Sequence, residues 1–459
     1  MLSTRPMPAA RKGKQAPEVI ILGGGLTGIS AAMHTTRPWL LVEKNDRLGG
    51  HARTDEVQGF RFDKTGHWLH LRDDYTKSLI GRLLPDKMTT VARKARIFSN
   101  GVLTRFPFQA NLHGLPPEVA KECLLGFIQA HEDSVRAGDA RPAPQNFEEF
   151  CLRHFGPGIS RHFMIPYNAK LWGVHPREIT AEWCSRFVPR PKLEEVVAGA
   201  VGANPPELGY NISFLYPKKG GIETMTRALV KQLRGGEVAL ASELDAIDLD
   251  KKQVQVAGEW RPYRAVVMSI PLPELLKRVV NLPPAIEAHA ARLRCTTLRY
   301  LNVATRVRPR ADFHWIYVPE DKYPFYRVGI YTNAVPAMAP RGKGSFYVEL
   351  SDRRAPSDLD ALSREVAHGL VAAGALKQAD DLLFTDLREI EYAYVVFDQH
   401  YYAAVNAIRP WLEERAVYPR GRYGFWTYNA MEDCILAGRE VAQTIDARLA
   451  EADRPIIHA

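Results

Sequence analysis

The sequence has few cysteines, no long apolar run and no long block of like charges. Its five cysteines occur singly, without a CxxC pair or the spacing of a metal site: Cys123, Cys151, Cys184, Cys295 and Cys434. We therefore expect neither a disulfide framework nor a bound metal, and a reducing compartment is the simplest interpretation. No apolar stretch approaches the roughly 18 residues that a membrane-spanning helix needs. These absences predict a cytoplasmic protein that does not insert into a membrane.

The distribution of charge excludes some partners. The formal net charge is +9 over 459 residues, but Lys and Arg are dispersed and no nucleic-acid motif is present. Such basicity fits small phosphate-bearing ligands better than nucleic acid. Residues 1–16 are basic and rich in Pro and Ala, without the apolar core of a signal peptide, so we predict a disordered N-terminus. A chain of this length predicts two or three packed units.

The clearest motif is "EVIILGGGLTGISAAM", in which Gly23, Gly25 and Gly28 satisfy GxGxxG. An apolar run precedes the glycines, and small and apolar residues at helical spacing follow them, so the motif lies between a predicted strand and a predicted helix. The glycines allow a tight turn and a close approach to a pyrophosphate at the helix N-terminus. A second apolar run ends in Glu43, about 20 residues after Gly23, where an acid accepts hydrogen bonds from a ribose hydroxyl. These features predict a dinucleotide site.

Two further stretches suggest that the dinucleotide is FAD. "RLGGHART", with Arg47, Gly49 and Gly50, resembles the second glycine pair of flavin enzymes of the amine oxidase type. The late stretch "MEDCILAGREVAQTI" predicts a C-terminal helix whose first turn faces the flavin and whose small residues pack on the first strand. We therefore add Met431 and Asp433, and Gly221 at a loop-to-helix turn, to the predicted cofactor contacts.

The pattern of elements predicts an α/β protein with a discontinuous Rossmann-like FAD-binding domain, an inserted helical domain and an antiparallel β-sheet domain. Helical periodicity dominates from about 110 to 200, whereas the stretches "LRYLNVATRV", "FHWIYVP", "FYRVGIYTN" and "GSFYVELS" have the alternation of strands. The predicted boundaries are 17–95, 205–275 and 400–450 for the FAD-binding domain, 110–204 for the helical domain, and 96–109 and 276–399 for the sheet domain.

Five stretches outside the glycine loops together resemble a known family. They are "DKTGHWLH", "RFPFQAN", "PYNAKLWGVHPREITAEWCSRF", "WIYVPEDKYPFYRVGIYTN" and "RGRYGFWTY". In this order they resemble the flavin-dependent UDP-galactopyranose mutases, and the eukaryotic (fungal) type more than the bacterial one. That family lies within the superfamily of FAD-linked amine oxidases and protoporphyrinogen oxidases. The similarity runs in register from about 18 to about 445.

The resemblance implies a reaction without net redox change. The family interconverts the pyranose and furanose forms of a nucleotide sugar, and N5 of the reduced FAD attacks the anomeric carbon. An external reductant such as NAD(P)H would reduce the flavin. The departing diphosphate has to be held, for which arginine is suited. The implied catalytic residues are His67, Arg327 and Arg422.

Other positions follow from the same resemblance. Gly66 precedes His67 in the loop that lies against the flavin in this family, and Arg93 matches an arginine beside the flavin. The implied substrate contacts comprise the nucleotide end, the sugar pocket and the tyrosines that bind the diphosphate: Phe106, Phe108, Gln109, Asn168, Trp172, Arg186, Asn211, Trp315, Tyr317, Tyr401 and Tyr428. The expected partner is a small nucleotide sugar.

Four positions depart from the family pattern. Thr65 replaces a glycine of the histidine loop, His70 replaces a phenylalanine, Phe106 replaces a tyrosine, and Glu432 replaces an asparagine just after the stretch "RGRYGFWTY". They leave open which base and which sugar are bound, and the sequence does not indicate the oligomeric state or the pathway. Two other functions stay open: a flavin oxidase or dehydrogenase for an amine, porphyrinogen or polyene, and a flavin-binding protein without catalysis.

Overall fold

A five-stranded parallel sheet carries the glycine motif. The structure is a computed structural model that describes residues 16–138, 142–182, 188–203, 212–351 and 358–454. The strands of the parallel sheet come from widely separated parts of the chain; in spatial order they are Val417–Pro419, Ala265–Met268, Val19–Leu22, Trp39–Val42 and Gly236–Ala239. The strand that precedes the glycine loop lies in the centre and is wholly buried. Parallel strands buried on both faces read as continuous apolar runs, as "VIIL" and "WLLV" do.

A seven-stranded sheet forms the second layer. In spatial order its strands are Leu382–Val395, Cys295–Thr305, Gly344–Leu350, Phe325–Ile330, Trp315–Tyr317, Ala95–Ser99 and Val102–Arg105. The predicted sheet was wholly antiparallel, and this is wrong at one pair, because Trp315–Tyr317 runs parallel to Ala95–Ser99. That pair joins segments far apart in sequence, so no hairpin fixes its direction.

Three smaller β structures complete the strand inventory of the described residues. They are the three-stranded sheet Leu244–Asp248, Gln253–Val256 and Glu259–Pro262, the hairpin Thr54–Val57 and Phe60–Asp63, and the pair Met88–Ala92 and Ser213–Pro217. The predicted strand "FYRVGIYTN" ends early, at Ile330, and Tyr331–Ala334 forms a helical turn. The side chain of Tyr331 is fully buried there, and its hydroxyl donates to backbone carbonyls of the histidine loop.

Helices make up most of the described chain between 110 and 204 and most of its C-terminal part. Between 110 and 204 the helices are Pro117–Ala137, Phe147–Ile159, Ser160–Met164, Ile165–Trp172, Pro176–Glu178 and Leu193–Ala200. Elsewhere they are Leu26–His34, Asp74–Leu83, Phe108–Ala110, Glu223–Val230, Leu272–Leu276, Pro284–Ala290, Pro336–Met338, Leu359–Ala372, Ala379–Asp381, Tyr401–Glu413, Gly421–Gly424 and Met431–Ala452. No described helix has both the length and the apolar character that a bilayer crossing requires. The fold is thus mixed α/β with several sheets, and the predicted domain boundaries stay predictions.

The C-terminal helix Met431–Ala452 returns to the start of the chain. Its Gly438 contacts the first helix, since a Cβ there would lie 2.3 Å from the carbonyl oxygen of Thr27. The small residues were expected to pack on the first strand instead, and this was wrong. Longer side chains reach that strand: Val441 and Ile445 belong to the same apolar cluster as Val19. The glycine is needed because two helices cross closely at this point.

Candidate active site

The first glycine loop joins a buried strand to a helix whose N-terminus is left open. Gly23 has φ +100°, and a Cβ on Gly28 would lie 1.9 Å from the carbonyl oxygen of Gly23, so neither position accepts a side chain. The helix Leu26–His34 has Gly25 as its N-cap, with no side-chain cap and no acid in the first turn. Its free N–H groups and partial positive charge therefore favour an anion such as a pyrophosphate.

The second glycine pair packs directly on the first loop. The backbone N–H of Gly49 donates to the carbonyl of Gly24 at 2.7 Å, and a Cβ on Gly50 would lie 3.0 Å from Cα of Gly25. Glu43 is buried beneath, where its Oε2 accepts from the N–H of Gly24 at 2.8 Å. Its Oε1 accepts from the backbone N–H of Asn45 at 2.9 Å and from the side-chain amide of Asn45. A carboxylate has about four acceptor positions, so these three bonds leave capacity for one ribose hydroxyl. The two loops and the acid form a cradle with the donor and acceptor chemistry that a dinucleotide needs.

Two further predicted cofactor contacts lie beside this cradle. Arg47 forms ion pairs with Asp55 and, at 3.3 Å, with Glu223, so its charge is balanced by two carboxylates. Gly221 has φ +68° and faces the side chains of Thr54 and Asp63. Gly221 therefore serves the turn itself, because a side chain there would collide with Thr54 at 2.2 Å.

The histidine loop follows the strand Phe60–Asp63. His67 has a buried Nδ1 with no partner at hydrogen-bonding distance in the described part of the chain. Burial, followed by the positive charge of Arg422, lowers the pKa of His67 to about 4. The imidazole is therefore neutral at neutral pH. Arg422, whose charge contributes to this shift, comes from the other end of the sequence. His67 and Arg422 thus share one electrostatic environment.

Arg327 is held from below by a buried acid. Its Nε and Nη2 donate to Oε2 and Oε1 of Glu349 at 2.9 and 2.6 Å, in the forked geometry of a bidentate pair. The two residues are opposite each other on neighbouring antiparallel strands, and Glu349 is fully buried. Nη2 also donates to the hydroxyl of Tyr394 at 2.8 Å. The remaining nitrogen, Nη1, makes no hydrogen bond within the described residues.

Arg422 also lies beside Tyr394. Its guanidinium is 5.3 Å from the ring centroid of Tyr394 and 4.6 Å from that of Tyr428. It donates to the backbone carbonyls of Asn429 and Ala393 at 3.0 and 2.8 Å, and in the described part of the chain it has no carboxylate partner. A half-buried cation that dipoles and π faces surround is suited to an anionic ligand.

Aromatic side chains surround the two arginines. Trp172 contacts Tyr394 at a centroid distance of 5.8 Å, and Tyr428 stacks on Tyr394 at 6.4 Å. Trp315 donates from Nε1 to the hydroxyl of Tyr317 at 2.9 Å, and Tyr317 in turn contacts Phe106 at 5.3 Å. The structure thus brings Trp172, Tyr428, Tyr394 and both arginines together, with Trp315, Tyr317 and Phe106 forming a connected aromatic group.

Arg93 lies at the end of that aromatic group. Its guanidinium is 5.1 Å from the ring centroid of Phe106, and its backbone N–H donates to the carbonyl of Ile212. Nearby, Nδ1 of His70 donates to the carbonyl of Ser213 over 3.1 Å, and burial lowers the pKa of His70 to about 4. A neutral imidazole and an arginine over an aromatic ring provide polar and π contacts of the kind that a base uses.

Three predicted substrate contacts pack against, or donate hydrogen bonds to, other residues of the protein. Phe108 is fully buried and stacks on Phe163, so it is a core residue and its assignment as a substrate contact was wrong. Gln109 is buried and donates to the carbonyl of Pro189 at 2.8 Å. Asn168 donates to the carbonyl of Met164 one helical turn earlier, at 2.7 Å. Arg186 and Asn211 lie outside the described residues.

The hydroxyl of Tyr401, a predicted diphosphate contact, is bonded within the protein. Tyr401 begins a helix, is buried, and donates from its hydroxyl to the carbonyl of Trp426 at 2.6 Å. Tyr394, seven residues earlier in the strand Leu382–Val395, places its hydroxyl on Arg327 instead. Glu349 was also missed, although a glutamate inside the apolar run "SFYVEL" is a recognisable signal of a buried charge partner.

The first turn of the C-terminal helix stabilises the protein locally. Glu432 is buried, and its Oε1 accepts from the N–H groups of Arg72 and Asp73 at 2.7 and 3.0 Å. Glu432, the acid that departs from the family pattern, therefore has its own hydrogen-bond donors. Asp433 accepts from the N–H of Ala430 at 2.8 Å as a helix cap, and Met431 is partly buried in the apolar cluster beside the first helix.

Lys170, within the "PYNAKLW" stretch, is fully buried and binds three backbone carbonyls. Its Nζ donates to the carbonyls of Glu320, Tyr323 and Phe325 at 2.8, 3.0 and 2.7 Å, which fixes the segment that leads into the strand of Arg327. We expect Lys170→Met to lower the free energy of unfolding by about 3 kcal/mol, because each buried carbonyl left without a donor costs about 1–3 kcal/mol. Urea unfolding measures the change. Lys277→Met, which removes only an exposed ion pair, is the control, and an equal loss in both variants would contradict the assignment.

Mild acid is expected to destabilise the protein. Burial lowers the pKa of His67, His70 and His314 to about 4, so between their ordinary value of 6.5 and pH 4 the unfolded chain binds these protons and the folded chain does not. Asp63, whose pKa burial raises to about 7, acts in the opposite direction, but it is one group against three. Urea titrations should give a lower free energy of unfolding at pH 5 than at pH 7, and the reverse order would show that these histidines are protonated in the folded chain.

Comparisons with known proteins agree with this geometry. The model of the family "Flavin containing amine oxidoreductase" matches residues 26–446. A crystal structure of reduced UDP-galactopyranose mutase superposes with a TM-score of 0.86 at 27% identity, covering 96% of this chain and 95% of that one, which confirms the resemblance found in the sequence. The cofactor is FAD, which fits the two glycine loops and the buried acid described above.

The curated relatives match over shorter stretches. Polyamine oxidase 2 of Arabidopsis thaliana is 27% identical over 29% of this chain and 28% of its own length. The dTDP-fucopyranose mutase of Escherichia coli is 24% identical over 37% of this chain and 45% of its own length. The alignments thus span less than half of these two relatives, and both a mutase and an oxidase occur among them. Because the family model matches most of the chain, this chain belongs to the flavin containing amine oxidoreductase family.

Proposed function

We propose that the protein is a nucleotide-sugar mutase that interconverts pyranose and furanose forms, and hence an isomerase. The observation that carries this proposal is the meeting of Arg327 and Arg422 at Tyr394, with Arg422 lacking a carboxylate partner among the described residues. A diphosphate carries the negative charge that such a pair is suited to bind. The match to a UDP-galactopyranose mutase over 96% of the chain supports it.

In this proposal the two arginines have different tasks. Arg422 supplies the uncompensated positive charge, while Arg327 is oriented by Glu349 and offers Nη1. Tyr394 and Tyr428 add hydroxyl groups beside the same phosphate oxygens, and Trp172 closes the aromatic wall. Together they hold the leaving diphosphate near the sugar, so that the sugar rebinds instead of being lost to water.

The remaining roles concern the cofactor. When bound in its reduced form, FAD supplies the nucleophilic nitrogen that this class of mutase uses at the anomeric carbon. The first helix N-terminus binds its pyrophosphate, and Glu43 accepts from its ribose. His67, neutral because burial and Arg422 lower its pKa, is placed to accept or donate a hydrogen bond without adding charge.

The second candidate is an oxidase acting on an amine, which the similarity to a plant polyamine oxidase favours. Amine substrates are cationic, however, and they would approach Arg422, whose charge has no carboxylate to offset it in the described residues. Repulsion of that kind is costly in a buried site. The electrostatics therefore favour an anionic substrate.

Anaerobic turnover tests the proposal. The protein, reduced with dithionite, is incubated with UDP-galactofuranose and with dTDP-fucofuranose, and chromatography follows the formation of each pyranose. We expect conversion of at least one sugar by reduced protein only. In a parallel aerobic assay of the oxidised protein, consumption of a polyamine and of O2 with release of hydrogen peroxide, and no conversion of any nucleotide sugar by the reduced protein, would establish the oxidase instead.

A further inference from the structure

Thr65, at the start of the histidine loop, has an unusual backbone conformation. Its φ is +65°, in the left-handed region that β-branched residues rarely adopt. The residue is buried, so water does not support its backbone groups. The adjacent Gly66 and His67 are presented by this turn. Since Thr65 itself disfavours the conformation, something else in the fold must hold it.

Within the turn, the N–H of Thr65 donates to the carbonyl of Asp63 and the N–H of His67 to the carbonyl of Thr65. Tyr331 adds contacts to the same two carbonyls from outside the turn. Its hydroxyl is 2.9 Å from the carbonyl oxygen of Asp63 and 2.8 Å from that of Thr65, so its single proton is shared between the two. Tyr331 is fully buried in the helical turn that ends the strand of Arg327. The contact joins residues 266 positions apart and ties the histidine loop to the diphosphate arginine's strand.

The surroundings of the turn leave it little freedom. The carboxylate of Asp63 accepts from Oγ1 of Thr54 at 2.6 Å, from the N–H of Ile222 at 3.2 Å, and from the hydroxyl of Tyr216. On the far side, a Cβ on Gly66 would lie 2.4 Å from the hydroxyl oxygen of Tyr347. The loop is therefore anchored before Thr65 and confined after it, and the hydroxyl of Tyr331 lies between these two points.

We propose that Tyr331 is a positioning residue: its hydroxyl holds Thr65 in the left-handed conformation and thereby fixes the direction in which Gly66 and His67 are presented to the flavin. This inference rests on the placement of the histidine loop beside the flavin in the proposed function, and it does not depend on which sugar is bound. The contact is specific to the hydroxyl, because the ring of Tyr331 packs on Tyr347 and a phenylalanine at this position would keep that packing.

A double-mutant cycle between positions 331 and 65 tests the proposal. Tyr331→Phe removes the hydroxyl and should shift the visible spectrum and the reduction potential of bound FAD, and lower kcat about tenfold with little change in KM. Thr65→Gly should have little effect, because glycine adopts φ +65° without strain. The double variant should recover most of the loss, since glycine no longer needs the hydroxyl. Tyr263→Phe, which removes a buried hydroxyl that bonds nothing in the described chain, is the matched control.

The outcomes separate this inference from the proposed function. His67→Ala is measured in parallel: if it alters the flavin spectrum and Tyr331→Phe does not, the inference is overturned while the placement of the loop stands. If neither variant alters the spectrum, the placement itself is wrong. Additive effects of Tyr331→Phe and Thr65→Gly also overturn the inference. Should Tyr331→Phe fail to bind FAD, recovery of FAD binding in the double variant supports it, and an equal loss in both refutes it.

Discussion

Replacing Arg422 with alanine is expected to lower kcat/KM for the nucleotide sugar by about 100-fold while FAD stays bound. Loss of a preorganised donor to developing charge typically has an effect of this size, and Arg422 is the cation in the described site that no carboxylate balances. The dissociation constant of UDP should rise in parallel, because the same charge binds the diphosphate of the product. Steady-state kinetics on the reduced enzyme and isothermal titration with UDP measure both effects.

Arg420→Ala is the matched control for this variant. Arg420 is two residues away in the same loop, but a carboxylate balances its charge, because it pairs with Glu413 at 2.5 Å. We expect its kcat/KM to stay within about twofold of the wild type, as is usual for a pair near the surface. Arg422→Lys should retain part of the affinity for UDP, because it keeps the charge and loses the fork. Equal kinetics of Arg422→Ala and the wild type would remove Arg422 from the diphosphate site.

Glu349→Gln is expected to have opposite effects on stability and on ligand binding. Neutralising the acid leaves the guanidinium of Arg327 without its bidentate partner, and breaking a buried ion pair costs about 3–5 kcal/mol in the free energy of unfolding. The charge of Arg327 then lacks compensation, so UDP should stabilise the variant more than it stabilises the wild type. Thermal unfolding with and without UDP reports both quantities in one experiment.

Glu389→Gln provides the comparison on the same sheet. Glu389 pairs with Arg299 at 3.2 Å on an exposed face, and such pairs contribute about 0–1 kcal/mol. Its stability and its response to UDP should both match the wild type. If Glu349→Gln loses stability and UDP gives no larger shift than in the wild type, Arg327 supports the sheet and does not bind the diphosphate.

The sequence revealed those parts of the site that a few consecutive residues form by themselves. The loop with Gly23, Gly25 and Gly28 needs only its own strand and helix, and the spacing to Glu43 follows from one β-α-β unit. The helix that begins at Met431 was recognisable from its periodicity. The order of the family stretches indicated the two arginines, because a binding loop keeps its local sequence even when its partners are distant.

Contacts between distant strands could not be predicted in this way. Tyr401 and Tyr394 are both aromatic and close in sequence, and only the register of the strand Leu382–Val395 places the hydroxyl of Tyr394 on Arg327. Phe108 looks like a stacking residue in the sequence, yet it is enclosed by the helices and packs on Phe163. Burial depends on the packing of whole elements, which periodicity within one element does not report.

The sequence by itself determined a dinucleotide-binding strand-loop-helix, the choice of FAD and the presence of two arginines and several tyrosines suited to a diphosphate. Only the tertiary structure decided that Glu349 orients Arg327, that Arg422 has no such acid among the described residues, and that Tyr331 spans the turn at Thr65. The physical reason is that a phosphate loop uses backbone geometry encoded over a few residues. A side chain's charge partner, in contrast, is set by sheet register and by contacts across hundreds of positions.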